Sequence, residues 1–216
     1  MTLSSPPVRK SGSTSDDAYP EPYFSACQGH PDEQAAEDIY WTIRQTYGRL
    51  FGRDFSSVLE IGAGGGEISA MFHKYNHDLT VVEGTTAGCA HIIGRGIARE
   101  RVIQMDIKRF QPLGRRFDLV ICTEVAEHLE PFFASKVAEM CIAHGDAVWF
   151  SAADRERRAH YHHINELPIA AWDNLFAYMG YNTFVELNLE NRGTRLYLSD
   201  ACRENLAASA LPRHQE

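Results

Sequence analysis

Long apolar runs are missing from this 216-residue chain. No stretch approaches the roughly 20 consecutive apolar residues that cross a bilayer. The polar N-terminal stretch carries no apolar core of a secretory signal. A cytoplasmic protein with no membrane partner is therefore expected. Basic excess is missing as well: 21 Lys and Arg stand against 29 Asp and Glu, a net charge of −8. That balance is the wrong sign for a nucleic-acid surface. Cysteine is sparse and unpatterned. Cys27, Cys89, Cys122, Cys141 and Cys202 contain no C-x-x-C pair, which argues against a zinc ribbon or a disulfide framework and fits reduced thiols. No internal repeat occurs. The phosphate-cradling sequence Gly-Lys-Ser/Thr is absent too, and with it the usual triphosphate site.

What is present is an ordinary globular composition, 44% hydrophobic and 23% charged, enough for one α/β domain with a full core. Residues 1–18 are rich in Ser, Pro and Thr and read as a disordered tail. The domain is expected over 19–202, with 203–216 as a frayed helix or tail. Tyr19, Tyr23 and Phe24 stand among Pro20, Pro22 and Gly29. They form an arm that either packs its aromatics on the domain or closes as a lid over a site. Pro31, Asp32 and Glu33 open a helix that Gly52 ends.

The stretch that organises the rest runs from Val58 to Ser69. An apolar strand carries the acid Glu60, a turn follows with Gly62, Gly64 and Gly66, and a helix begins at Glu67. Such a turn lets backbone approach a nucleotide-like ligand at the carboxyl end of a strand. A dinucleotide fingerprint, G-x-G-x-x-G, would place glycine where Glu67 stands. An acid at a helix N-terminus also repels a pyrophosphate. The expected ligand is adenosine-like, with a cationic or zwitterionic tail that Glu60 can accompany. Glu83 ends the next apolar run, Leu79 to Val82, about 20 residues past the turn, a spacing suited to a carboxylate that accepts both ribose hydroxyls.

The pattern apolar-apolar-acid-apolar-Gly-x-Gly-x-Gly resembles motif I of the class I S-adenosylmethionine-dependent methyltransferases. The resemblance implies a Rossmann-like α/β fold: a seven-stranded, mostly parallel sheet in the order 3-2-1-4-5-7-6, closed by a C-terminal antiparallel hairpin. It implies S-adenosyl-L-methionine as cofactor. Glu60, Gly62, Gly64 and Gly66 would cradle its methionine end, Glu83 its ribose, and Met105 with Asp106 its adenine, with Glu124 counted among the cofactor contacts. Phe117, Asp118, Leu119 and Val120 resemble motif IV of the same family.

After that motif come Glu124, Glu127 and His128, three and four residues apart, so that one helical turn can group them. A second cluster, His160, His162 and His163, follows strand five. Methyl transfer to a hydroxyl needs a proton acceptor, and His is the natural one near neutral pH. His128, His163 and Glu127 are the candidate catalytic residues. The run His163, Ile164, Asn165, Glu166, Leu167, Pro168 and then Trp172 resembles bacterial small-molecule and sugar methyltransferases, which implies a small-molecule acceptor methylated at oxygen. A competing resemblance is to small-RNA 2′-O-methyltransferases. It would make Glu124, Glu127, His128 and His163 ligands to Mg²⁺ or Mn²⁺. Against it stand the acidic balance and the sequence Ser151, Ala152, Ala153, Asp154 after strand five. A non-catalytic cofactor-binding relative and an NAD-dependent oxidoreductase are the other classes weighed. Trp172 and Phe176 are expected in the core.

Overall fold

The computed structural model describes residues 19, 32–153, 163–189 and 192–210. The tail 1–18, the arm over 20–30, and His160 and His162 of the histidine cluster lie outside the described residues.

Helix α1 spans Glu33–Phe51. Asp32 caps it, its Oδ1 accepting from Ala35 N at 2.8 Å, and Gly52 ends it in the left-handed region at φ 63°. Strands β1 (Ser57–Ile61), β2 (Asp78–Glu83), β3 (Val102–Gln104), β4 (Leu119–Thr123) and β5 (Ala147–Ser151) run parallel. Helices α2 (Glu67–Lys74), α3 (Thr86–Gly94) and α4 (Ala134–Ile142) make the crossovers after β1, β2 and β4. Only a single 3₁₀ turn, Ile107–Arg109, lies in the β3–β4 connection, so the expected loop over 110–116 is present. Helix α5 (Ile169–Tyr178) leads into the antiparallel pair β6 (Tyr181–Leu189) and β7 (Arg192–Ser199), and α6 (Asp200–Ala210) closes the chain. The sheet order is β3-β2-β1-β4-β5-β7-β6, the order that the resemblance implies. Helix α6 carries the fold past residue 202, the expected end of the domain, because Leu206 packs on the same core as α1.

The central strands read as unbroken apolar runs because both faces of the sheet are covered. Alternate residues serve opposite layers. Val58, Val81, Leu119 and Trp149 face α1, α2 and α3. Leu59, Val82, Val120 and Phe150 face α4 and α5, where Trp172 and Phe176 are fully buried. β4 starts at Leu119, two residues into the run Phe117, Asp118, Leu119 and Val120. Phe117 makes an isolated bridge to Gly145 instead, because the preceding residues are occupied in fastening the loop to α4. His144 does that fastening. Its Nε2 accepts from Leu113 N at 3.0 Å while its Nδ1 faces Met140 O at 2.7 Å.

At the opposite edge from the site, Asp118 ties β4 to β1. It accepts from Ser56 N (2.9 Å), Ser56 Oγ (2.7 Å) and Ser57 N (3.1 Å), and pairs with Arg53. Burial works against ionisation of this carboxyl, but the donors at Ser56 and Ser57 outweigh it and hold its pKa well below the usual carboxylate range. A depressed folded-state pKa adds stability above the unfolded-state value, about 4, and that contribution is lost as pH falls through the folded value. Asp118→Asn should therefore lower the unfolding free energy at pH 7 by about 2 kcal/mol in urea titration. The difference from the parent should shrink below about pH 4.

Candidate active site

The C-terminal ends of β1, β2, β4 and β5 meet at the point where strand order reverses, between β1 and β4. Open α/β sheets bind ligands in the crevice at that point. The glycine turn after β1 fills one wall. Gly62 and Gly66 lie at φ 72° and 80°, where a side chain is strained. Each also has no room for one: a Cβ on Gly62 would sit 2.5 Å from Val125 Cγ2, and one on Gly66 would sit 2.8 Å from Ile92 Cγ1. The turn is thus pressed between the start of the β4 loop and helix α3.

The acids expected at the cofactor are all at this edge, and each is engaged. Glu60 is 3% exposed, and Ser69 Oγ donates to its Oε2. Burial pushes its pKa up to about 8, against the Ser69 hydroxyl, and the charges of Glu67 and Glu83 push the same way. Glu83 Oε2 accepts from Gly64 N at 2.9 Å, and its Oε1 accepts from both Thr85 N and Thr85 Oγ at 2.8 Å. Burial raises its pKa, while the donors at Thr85 and Gly64 oppose the rise. Met105 N donates to Glu83 O at 3.0 Å, which sets β3's exit beside β2's. Asp106 caps the 3₁₀ turn, its Oδ1 accepting from Lys108 N at 2.9 Å. Glu67 differs from the expectation of a bare acid at a helix start: it forms an ion pair with Arg95, so its charge is matched locally.

Glu127 and His128, expected at the acceptor, lie on the loop after β4. Residues 124–128 do not form one α-helical turn. Glu124 sits at φ 55°, in the left-handed region, and only Ala126–His128 follow as a 3₁₀ turn. Glu124 stays close enough for its charge to act on Glu127, but the group whose ligand atoms converge is Glu127, His128 and His163. Glu124 Oε1 accepts from Ser151 Oγ at 2.7 Å, across to β5. His163 arrives instead, because the loop before α5 is strapped to this turn. Ile164 N and Asn165 N both donate to Glu127 O, at 2.9 and 3.1 Å, and Asn165 Nδ2 donates to Ala126 O at 3.4 Å. Ligand atoms of Glu127, His128 and His163 consequently lie within 4.8 Å of one another. The His128 and His163 rings are edge to face, with centroids 4.9 Å apart. His163 Nδ1 faces Glu166 Oε1 at 3.0 Å.

Glu127 is 0% exposed, and neither carboxylate oxygen has a hydrogen-bond partner among the described residues. Burial raises its pKa well above normal, and the charge of Glu124 adds to the rise. The backbone N–H groups of Glu127 and Ala153 oppose the rise. Two functional neighbours had little or no signal in the sequence. Tyr19 packs edge-on against His128 with centroids 5.6 Å apart. Arg95 donates to the glycine turn itself. Tyr19 was legible only as one aromatic of an arm, and Arg95 not at all.

This sheet order with its closing hairpin, and a glycine turn at the switch point, is the class I S-adenosylmethionine-dependent methyltransferase fold, and the protein is an enzyme of that class. More particularly, the chain belongs to the nodulation protein S (NodS) family, which it matches over residues 43–155. Among solved structures it is similar to the sugar N-methyltransferase KedS8 from Streptoalloteichus sp. ATCC 53650, with 16% identity, 92% of this chain and 98% of that chain covered, and a TM-score of 0.66. It is similar to the plantazolicin methyltransferase BpumL in complex with a triazolic desmethylPZN analog and SAH (13% identity, 85% and 93% covered, TM-score 0.64). The methyltransferase domain of bacterial CtHen1-C is a third (14% identity, 78% and 98% covered, TM-score 0.58). At these identities the likeness is one of fold. No curated protein matches. No helix among the described residues is long and apolar enough to cross a membrane.

The buried Glu60 makes a measurable pH signature. A folded-state pKa raised above the unfolded value, about 4.3, gives stability that is present at low pH and lost as pH rises toward the folded value. Glu60, at about 8, should make the parent lose up to about 1.4 kcal/mol per pH unit more than Glu60→Gln between pH 5 and 8. Urea midpoints of the two proteins at three pH values across that range check it. Equal slopes would mean that the carboxyl ionises normally.

Proposed function

We propose that this enzyme methylates a hydroxyl oxygen of a small molecule or sugar, with His128 accepting the proton. The observation that carries this reading is the convergence of Glu127, His128 and His163 at the C-terminal edge of β4 and β5, beside the glycine turn. S-Adenosylmethionine supplies, when bound, a methyl group activated on a sulfonium. Gly62, Gly64 and Gly66 give its methionine end close approach to backbone, with Glu60 beneath. Glu83 shares its carboxylate between Gly64 N and the ribose hydroxyls, and Met105 and Asp106 flank the adenine. Glu124 borders the same crevice from β4.

The acceptor oxygen forms the new bond to carbon as the carbon–sulfur bond breaks, and the electron pair of that bond stays on sulfur. The hydroxyl proton passes to the His128 imidazole, which must be neutral to take it. Glu166 orients His163 through its Nδ1, and the buried Glu127 stands beside both imidazoles. Most of the rate comes from alignment of oxygen, carbon and sulfur.

A second reading is favoured by one specific observation, the two unpartnered oxygens of the fully buried Glu127 beside two imidazoles. That donor set suits a divalent cation such as Mg²⁺ or Mn²⁺. Glu127, His128 and His163 would hold it, without Glu124, and it would supply Lewis-acid polarisation of acceptor hydroxyls. Ribose hydroxyls at an RNA 3′ end are the acceptor this version would take. The acidic chain makes it the lesser reading.

Calorimetric titration of S-adenosylhomocysteine into chelator-treated protein, with and without Mg²⁺ or Mn²⁺, separates the two. We expect metal-independent binding. His128→Ala should reduce methyl transfer to hydroxyl-bearing sugars by about 10²- to 10⁴-fold with the S-adenosylhomocysteine Kd unchanged within about twofold. Methylation of an amino sugar at nitrogen, with its hydroxylated counterpart inert, would overturn the oxygen assignment. A metal isotherm lost in His128→Ala would promote the second reading.

A further inference from the structure

We propose that Arg95 is the positioning residue of the cofactor turn, holding one glycine–glycine peptide in the orientation that binds the methionine end of S-adenosylmethionine. The inference rests on the reading above that places this end at the turn.

A turn carrying Gly62, Gly64, Gly65 and Gly66 has little conformational preference of its own. The peptide between Gly65 and Gly66 has glycine on both sides, so neither side chain resists its flipping. A flip would release the Gly65 carbonyl toward the ligand side, and a carbonyl repels the methionine carboxylate. This peptide is held at both of its polar ends. Its C=O, on Gly65, accepts from Arg95 Nε at 2.6 Å. Its N–H, on Gly66, donates to Ala63 O at 2.9 Å. A carbonyl engaged by a guanidinium cannot turn toward the ligand without breaking a charge-assisted bond.

The second arm of the same guanidinium pairs with Glu67, the first residue of α2. One planar fork therefore spans the end of the turn and the start of the helix, a bridge that a lysine's single ammonium cannot make. The contact is largely withdrawn from solvent on the acid side, with the Glu67 side chain 11% exposed and that of Arg95 38%. Arg95 is itself anchored. It is the C-cap of α3, its N–H bonded to His91 O at 3.1 Å and Ile92 O at 3.2 Å, and Gly96 turns the chain away at φ 91°. Ile92, one turn earlier on α3, is the residue that fills the space beneath Gly66.

Helix α3 thereby joins the two halves of the cofactor site. At its N-terminus Thr85 caps it, donating to Glu83, the proposed ribose acid. At its C-terminus Arg95 grips the turn. Glu83 holds the turn from the opposite side, through Gly64 N at 2.9 Å. Removal of the guanidinium frees the Gly65 carbonyl and takes a cation away from the end of the turn where the methionine carboxylate is placed, two effects of the same sign.

The test measures S-adenosylhomocysteine affinity by calorimetry at low temperature, where circular dichroism certifies that each protein is folded. Arg95→Gln should bind about tenfold more weakly than the parent, the loss of one charge-assisted hydrogen bond. Arg95→Lys should fall between the two. Glu67→Gln, which keeps the carbonyl contact, should change the Kd less than about threefold. In steady state, Arg95→Gln should raise the KM for S-adenosylmethionine and leave kcat at saturating cofactor within about twofold. A residue that merely supports the fold would lower the melting temperature and leave the Kd of the folded protein alone. Parent-like affinity in Arg95→Gln overturns the proposal. Should that variant fail to fold, parent-like affinity in Arg95→Lys overturns it equally. Absence of binding by the parent itself would instead sink the cofactor reading on which the proposal stands.

Discussion

The constraint on which the rest of this structure depends is a stretch of backbone that must stay bare. Gly62 and Gly66 occupy left-handed conformations with a neighbour's carbon under 3 Å from any added Cβ. A turn without side chains cannot fix itself, so its shape is imposed by what surrounds it. Gly62 N donates to Val82 O at 2.7 Å, and Gly64 N to Glu83. Val125 and Ile92 close in from the β4 loop and from α3, and Arg95 takes the carbonyl of Gly65. β2, the loop after β4 and the β2–β3 crossover helix all contribute. This is why the site sits where strand order reverses. Only there do the ends of two strands running from β1 to either side, and one crossover helix, reach the same turn.

The acceptor end follows a different logic. No tight turn is needed there, and the three groups that meet are brought by backbone straps rather than by a regular element. Two N–H groups from residues 164 and 165 share the carbonyl of Glu127. The strap uses the main chain of Glu127 for architecture and leaves its side chain unpartnered within the described residues. A buried carboxyl with no hydrogen bond disfavours the folded state unless it is protonated or later partnered. Such a group is retained where chemistry uses it, and it is flanked here by two imidazoles.

The contrast between the two ends explains how much was legible in the sequence. The strands and the glycine turn follow from short-range pattern, and the sheet order from the family resemblance that the turn carries. Apolar runs of strand length, an acid at the end of β2, and glycines at 62, 64 and 66 lie within two or three residues of the geometry they dictate. The grouping of Glu124, Glu127 and His128 was read from helical spacing, and the backbone there is not α-helical. A left-handed residue at 124 and a 3₁₀ turn, not an α-turn, replace the assumed helix. Nothing in the types of residues 124–128 announces that, because the conformation is set by Ser151 on the adjacent strand. The roles of Arg95, 30 residues from the carbonyl it holds, and of Tyr19, on the far side of the chain from His128, are tertiary facts without a local signature. Glu67 was read as an acid unsuited to a pyrophosphate slot. Its actual partner, a cation at the end of α3, could not be read from a helix N-terminus alone.

Three carboxyls at this one edge, Glu60, Glu83 and Glu127, are 3%, 6% and 0% exposed. Burial raises the pKa of each. Burying three acids weakens an empty protein, since each must either hold a proton against bulk pH or keep a charge in low dielectric. They are not scattered through the core: Glu60 and Glu83 adjoin the glycine turn, and Glu127 adjoins the histidines beyond it. S-Adenosylmethionine brings a sulfonium and an ammonium, two cations, to the proposed site, and an imidazole that has taken a proton adds a third. The acid distribution complements the charge that arrives on binding and develops on reaction, rather than the charge of the resting protein. On that argument the cationic donor should bind better than its neutral thioether product, and the sense of that difference drives product release.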